Sequence, residues 1–118
     1  MKKVCVCILL LPIVFLSCKK SSSTPSIDEV TYEVTLVNAT SWSGVYLNEN
    51  AQVVNVPAAV SGWRYVFKNT NKLVVATLSA YPNGTSSLAN ATMRIYVNGT
   101  VVAEQKSLVT PQVQYQFP

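Results

Sequence analysis

The chain contains no histidine. That removes the usual general base of nucleophilic hydrolases and the commonest ligand of zinc sites. Charge is also scarce, at 12% of residues, and the acids number only 5: Asp28, Glu29, Glu33, Glu49 and Glu104. They are scattered over a tether end, strand faces expected to be solvated and one turn. No two are placed as a carboxylate pair for acid–base work. No D-x-D-x-D run offers clustered oxygens to calcium. We therefore assign no catalytic, cofactor-binding or metal-binding residue, and the chain reads as a non-enzyme. The formal net charge is +4, but Arg64, Lys68, Lys72, Arg94 and Lys106 form no basic stripe with interleaved aromatics. Nucleic acid is thus not an expected partner.

Cysteine is confined to Cys5, Cys7 and Cys18. The first two lie in a segment expected to be removed, so the mature chain can form no intrachain disulfide. Stability must come from a core. About a hundred remaining residues bury roughly 60–70% of their unfolded surface, which suffices for one domain. With 49% hydrophobic residues, the composition is that of a folded chain.

What is present begins with an export pattern. Met1-Lys2-Lys3 is a short positive start, followed by an apolar run from Val4 to Leu16 broken by Pro12. As a helix that run spans about 20 Å, short of the roughly 30 Å of a bilayer core, and it fits the apolar part of a signal peptide. Phe15-Leu16-Ser17-Cys18 resembles the lipobox of bacterial lipoproteins, with Phe15 where Leu is usual. The resemblance implies that Cys18 takes a diacylglycerol, becomes the first mature residue and gains a further acyl chain. Two or more chains hold a protein durably at a membrane where one does so only marginally. Lys19-Lys20-Ser21-Ser22-Ser23-Thr24-Pro25-Ser26 suits a flexible spacer. The expected organisation is a lipoprotein signal peptide at 1–17, a lipidated flexible tether at 18–28 and a β-sandwich domain at 29–118. Enteric inner-membrane lipoproteins carry Asp after the cysteine. Lys19 stands here instead, which points to the outer membrane, and the cysteine is not followed by the acidic cluster of some surface-exported lipoproteins, which points to the periplasmic face.

After the tether no helical period appears. Val30, Tyr32, Val34 and Leu36 alternate with Thr31, Glu33 and Thr35, a period of two. Further strands are expected over Ser41–Leu47, Gln52–Val56, Trp63–Phe67, Lys72–Tyr81, Thr92–Val97 and Thr100–Glu104, and where Val113, Tyr115 and Phe117 alternate with glutamines. Pro57 ends a strand or marks an edge. Pro82-Asn83-Gly84 reads as a turn. Asn98-Gly99 between two β-rich runs signals a tight hairpin. Seven or eight such strands predict an all-β, immunoglobulin-like antiparallel β-sandwich, with Lys72–Tyr81 central.

These segments, in order, resemble the mycobacterial membrane protein small (MmpS) family. Val30-Thr31-Tyr32-Glu33-Val34-Thr35 is similar to the family's opening "YEVTG". Val54-Asn55-Val56-Pro57 is similar to its "V-x-LP", and Leu78-Ser79-Ala80 to its "LSAQ". Met93-Arg94-Ile95-Tyr96-Val97-Asn98-Gly99-Thr100-Val101-Val102 comes close to "CRIYVDGKVV". Met93 replaces a cysteine found in many members, and Ala58 stands where the family has Trp after its Pro. Many members carry a transmembrane helix in place of a lipid anchor. The resemblance implies a β-sandwich held at a membrane, assisting an exporter of the resistance-nodulation-division (RND) type for a lipid or siderophore.

Arg94 and Tyr96 share one face of their strand, opposite Met93, Ile95 and Val97, and are expected to be exposed together as a contact surface. Trp42 and Trp63 are further candidates, as stacking groups for a glycan or an amphipathic lipid; their alternative place is the core. Three readings follow: an exporter-associated accessory or binding lipoprotein, a glycan-binding surface module, and a structural subunit pairing through an edge strand.

Overall fold

The computed structural model describes residues 27–118. The expected signal peptide, Cys18 and the tether as far as Ser26 lie outside the described residues. From Glu29 on, the chain forms eight strands: β1 Glu29–Val37, β2 Ser41–Leu47, β3 Val53–Ala59, β4 Trp63–Lys68, β5 Val75–Asn83, β6 Asn90–Val97, β7 Thr100–Lys106 and β8 Gln112–Gln116. They build two four-stranded sheets of order β4-β1-β6-β7 and β3-β2-β5-β8. Every pairing is antiparallel. The molecule is the all-β sandwich that period-two alternation requires.

Each inner face is the apolar half of its alternation. Val30, Tyr32 and Val34 of β1, Met93 and Ile95 of β6, and Ala76, Leu78 and Ala80 of β5 are all fully buried. Phe67 and Val113 close the core from β4 and β8.

Two prolines and one glycine show how local chemistry sets the strands. Pro57 does not end β3. It sits inside this edge strand, where the register against β2 shifts between Trp42 and Gly44, so its missing N–H interrupts no regular ladder. Pro82 is likewise inside β5 rather than in a turn. It pairs with Trp42 of β2, beyond the last β8 partner, Ser79↔Gln112, so β5 has a neighbour on one side only there. The expected start of β5 at Lys72 moves to Val75. Asn69 Oδ1 accepts from the Leu73 N–H at 2.7 Å and Lys72 takes a positive φ of 55°. This side-chain turn holds residues 69–74 out of the ladder. At the β6–β7 hairpin, Asn98 (φ 53°) and Gly99 (φ 83°) both have positive φ, the condition of a type I′ turn.

Antiparallel order gives the sandwich two poles. At the base lie the start of β1, the turns at 48–52, 69–74 and 98–99, and the chain's last residues. At the tip lie the loops 38–40, 60–62, 84–89 and 107–111. The chain enters the fold at the base through a fixed point. Asn98 Nδ2 donates to Asp28 Oδ1 at 2.9 Å, the Glu29 N–H donates to Asn98 Oδ1 at 2.9 Å, and the Asn69 N–H donates to the Asp28 carbonyl at 2.9 Å.

Gly44 is the tightest backbone approach. A Cβ built there would lie 2.0 Å from the Ser79 carbonyl oxygen of β5, a clash with backbone that no rotamer relieves. Gly44→Ala should therefore lower the unfolding free energy by about 3 kcal/mol, the upper end of overpacking costs, or prevent folding. Urea denaturation of the variant checks this; an unchanged midpoint would refute the close approach.

Candidate functional site

β1 and β6 are interior strands of their sheet, and their outer faces carry the expected contact pair. The register places Glu33 opposite both Arg64 of β4 and Arg94 of β6. Arg94 in turn stands opposite Glu104 of β7. Charges thus alternate in one row across all four strands, the favourable arrangement for directly opposed side chains. Arg94 Nη1 lies 3.3 Å from Glu33 Oε1 and its Nε lies 2.5 Å from Glu104 Oε2. Arg64 Nη1 stands 3.7 Å from Glu33 Oε2. The Tyr96 hydroxyl donates to Glu33 Oε1 at 2.7 Å, and the Arg64 guanidinium lies 5.4 Å from the Tyr96 ring centroid, within cation–π range.

The structure therefore brings Arg94 and Tyr96 together on one outer face, with their polar ends turned onto Glu33. The Glu33 side chain is only 14% exposed. It is the hub of the row rather than a solvated surface charge. Its hydrogen bond to Tyr96 is the main reason that phenol's pKa is raised. Arg94 holds its proton more firmly chiefly through its hydrogen bond to Glu104. A carboxylate whose oxygens already accept from a phenol and face two guanidiniums is a structural tie.

Trp42 and Trp63 lie on the other side of that sheet, in the interior. Trp42 is fully buried, which corrects its assignment to a contact surface. It is the second residue of β2, on the inner face, where the core takes the whole indole. Its N–H has no oxygen partner. Trp63 is half-buried and stands at 78° to it with ring centroids 5.1 Å apart. From there a seam of rings continues between the sheets. Trp63 meets Tyr46 at 5.4 Å, Tyr46 meets Tyr65 at 4.6 Å, and Tyr32 meets both Tyr46 and Phe67. The four expected contact residues consequently form no single surface.

Sequence reasoning also missed the partner of Glu49. The Tyr65 hydroxyl donates to Glu49 Oε1 at 2.5 Å. This bond pulls the Glu49 carboxyl below its ordinary range and is the main cause that pushes Tyr65 up to about 12. The signal for Glu33 was available: Arg64 and Arg94 each lie on the polar half of a strand's alternation. Pairing register was the missing piece.

Among the described residues no group of three or more His, Cys, Asp or Glu side chains comes together to hold a metal, and no helix is long and apolar enough to cross a membrane. A profile of the family described as Mycobacterium membrane protein matches residues 15–115. No curated protein matches the chain.

Glu33→Gln should cost about 1–2 kcal/mol, because bonds to an ionised acceptor are lost from a mostly buried position. Arg64→Ala, at an exposed ion pair, should cost no more than about 0.5 kcal/mol; chemical denaturation of both variants tests the contrast. Tyr65 keeps its proton longer in the fold than in the unfolded chain. Its contribution to stability is therefore complete below about 10 and is lost as pH rises towards about 12. Glu49→Gln should move one phenolate transition in an alkaline absorbance titration to lower pH; an unshifted titration would contradict the Tyr65–Glu49 assignment.

Proposed function

The chain belongs to the Mycobacterium membrane protein family, the MmpS family, and from that premise we propose that it is a lipid-anchored, non-catalytic accessory or binding domain. Membership brings membrane or cell-envelope association with it. The finer reading is that Cys18 carries the lipid, on the periplasmic face of the outer membrane. The sandwich then presents a recognition surface near the membrane and assists an RND-type exporter of an amphipathic molecule.

The observation that carries this reading is the way the chain enters the fold. Cys18 is followed by a short polar spacer, and Asp28 and Glu29 are clamped at the base by Asn98 and Asn69. A domain so connected is held by one pole and leaves its other surfaces free. The internal satisfaction of Glu33 further supports a non-catalytic role. The glycan-binding alternative relied on Trp42 and Trp63 as a platform, and the burial of Trp42 removes half of it.

Cys18→Ala should abolish incorporation of radiolabelled palmitate and shift the protein from the membrane to the soluble fraction, with the far-ultraviolet spectrum of the domain unchanged. Retention of the variant in membranes would refute the anchor. Deleting the protein should alter export of an amphipathic molecule, and unchanged export across a substrate panel would refute the accessory role.

A further inference from the structure

The charged residues of the loops are unevenly divided between the poles. The base turns and the segment leading into β1 carry Asp28, Glu49 and Lys72. The tip loops 38–40, 60–62, 84–89 and 107–111 carry no Asp, Glu, Lys or Arg, although the strand end beside them carries the exposed Lys106, whose carbonyl accepts from the Val109 and Thr110 N–H groups. Large aliphatic side chains stand out into solvent at this end: Val37 at 54% exposure, Val60 at 68%, Leu88 at 66%, Leu108 at 60% and Val109 at 80%; the base also exposes Ile27, Val53 and Val74, but beside its charged turns.

Hydrogen bonds hold the loops that carry them side by side. Asn38 Nδ2 donates to the Leu88 carbonyl at 3.4 Å. The Leu108 N–H donates to Asn90 Oδ1 at 3.1 Å, and Asn90 is the register partner of Val37. The Ser107 N–H donates to the Ala91 carbonyl at 2.9 Å. The Leu36 N–H donates to Ser61 Oγ at 2.9 Å, which ties in the loop that carries Val60. Asn90 is itself buried, so its amide acts as an internal bracket for the β7–β8 loop. Clustered exposed aliphatics on ordered loops mark an interaction site rather than the scattered apolar residues of an ordinary surface.

We infer that this tip is the docking surface for a partner protein that offers it an apolar patch without charge. The inference rests on the lipid-anchored reading and adds to it the surface that meets the partner. Two arguments choose the occupant. The first is reach. Between Cys18 and the base at Ile27 the chain has only eight intervening residues, at most about 30 Å when fully extended. β1 alone spans about 30 Å, so an upright domain turns its tip away from the anchoring bilayer, and the tip can point into that bilayer only if the whole tether lies stretched back along the domain. The second is chemistry. The tip mixes its aliphatics with Thr40, Ser61, Thr85, Ser86 and Thr110 and with loop backbone. Hydrocarbon would leave those polar groups without partners. A protein surface pairs them, and an apolar centre depleted in charge with a polar rim is the usual composition of such an interface.

The test uses the full lipidated chain. Cys5 and Cys7 leave with the signal and the Cys18 thiol is acylated, so an introduced cysteine is the one free thiol. Val109→Cys probes the tip, and Val101→Cys, exposed on β7 next to the base hairpin, is the control. In opened native envelopes a maleimide should label Val109→Cys at least tenfold more slowly than in the detergent-purified protein, while Val101→Cys labels equally in both. A photoreactive benzoylphenylalanine at Leu108 should form an adduct with one protein, and deleting that protein should restore labelling at position 109. Equal labelling of Val109→Cys in membranes and detergent would overturn the inference while leaving the anchor standing. Adducts to lipid alone would overturn the choice of a protein partner. Recovery of the chain in the soluble fraction would overturn the anchor, and the inference with it.

Discussion

Complete burial of Tyr32 obliges its hydroxyl to find an acceptor inside the protein. The one it finds belongs to the opposite sheet: the phenol donates to the Leu47 carbonyl of β2 at 2.7 Å. An interior tyrosine without such a partner would be costly, so this bond fixes how the two sheets sit on each other. Burial also pushes the phenol's pKa far up, so the phenolate is disfavoured at this buried position. The ring is the centre of the aromatic seam, in contact with Tyr46, Tyr65 and Phe67. The described residues contain no cysteine, and this seam does what an inter-sheet disulfide does in other small sandwiches.

The outer face follows from the same strand. β1 has a neighbour on each side, so Thr31 and Glu33 are flanked by longer side chains from β4 and β6. Thr31 is buried although it lies on the outer face, and Glu33 is reached by Arg64, Arg94 and Tyr96. A strand whose two faces are both covered has no free surface to offer a ligand. The tip loops differ, since their backbone is exposed and their side chains are not engaged in pairing.

Much of this architecture is legible in the residue pattern. Alternation in Val30–Leu36 and Thr92–Val97 places the core residues correctly, and Asn98-Gly99 marks its hairpin, because period two and positive φ are local properties. What is not legible is pairing. Glu33 looks solvated until β4 and β6 are known to flank it, and Trp42 looks like a stacking platform until β2 is known to place it on the inner face. Pro57 marks its edge strand as expected, whereas Pro82 misleads for a related reason. A proline is excluded only where its missing N–H would face a partner, and that depends on which strands lie beside it. The apolar tip is illegible for the same reason, since its residues come from four loops that only the fold brings together.

On the lipid-anchored reading proposed above, the domain is held by its base and turns its apolar tip away from the anchoring membrane. Energy transfer from a dye at the bilayer surface to a single label on the reconstituted, lipidated protein measures this directly. A label at Thr70→Cys, in a base turn, should show strong transfer, and one at Val109→Cys should show markedly weaker transfer, as expected for a domain about 30 Å long standing upright. Equal transfer at the two positions would mean that the domain lies on its side, and would contradict the claim.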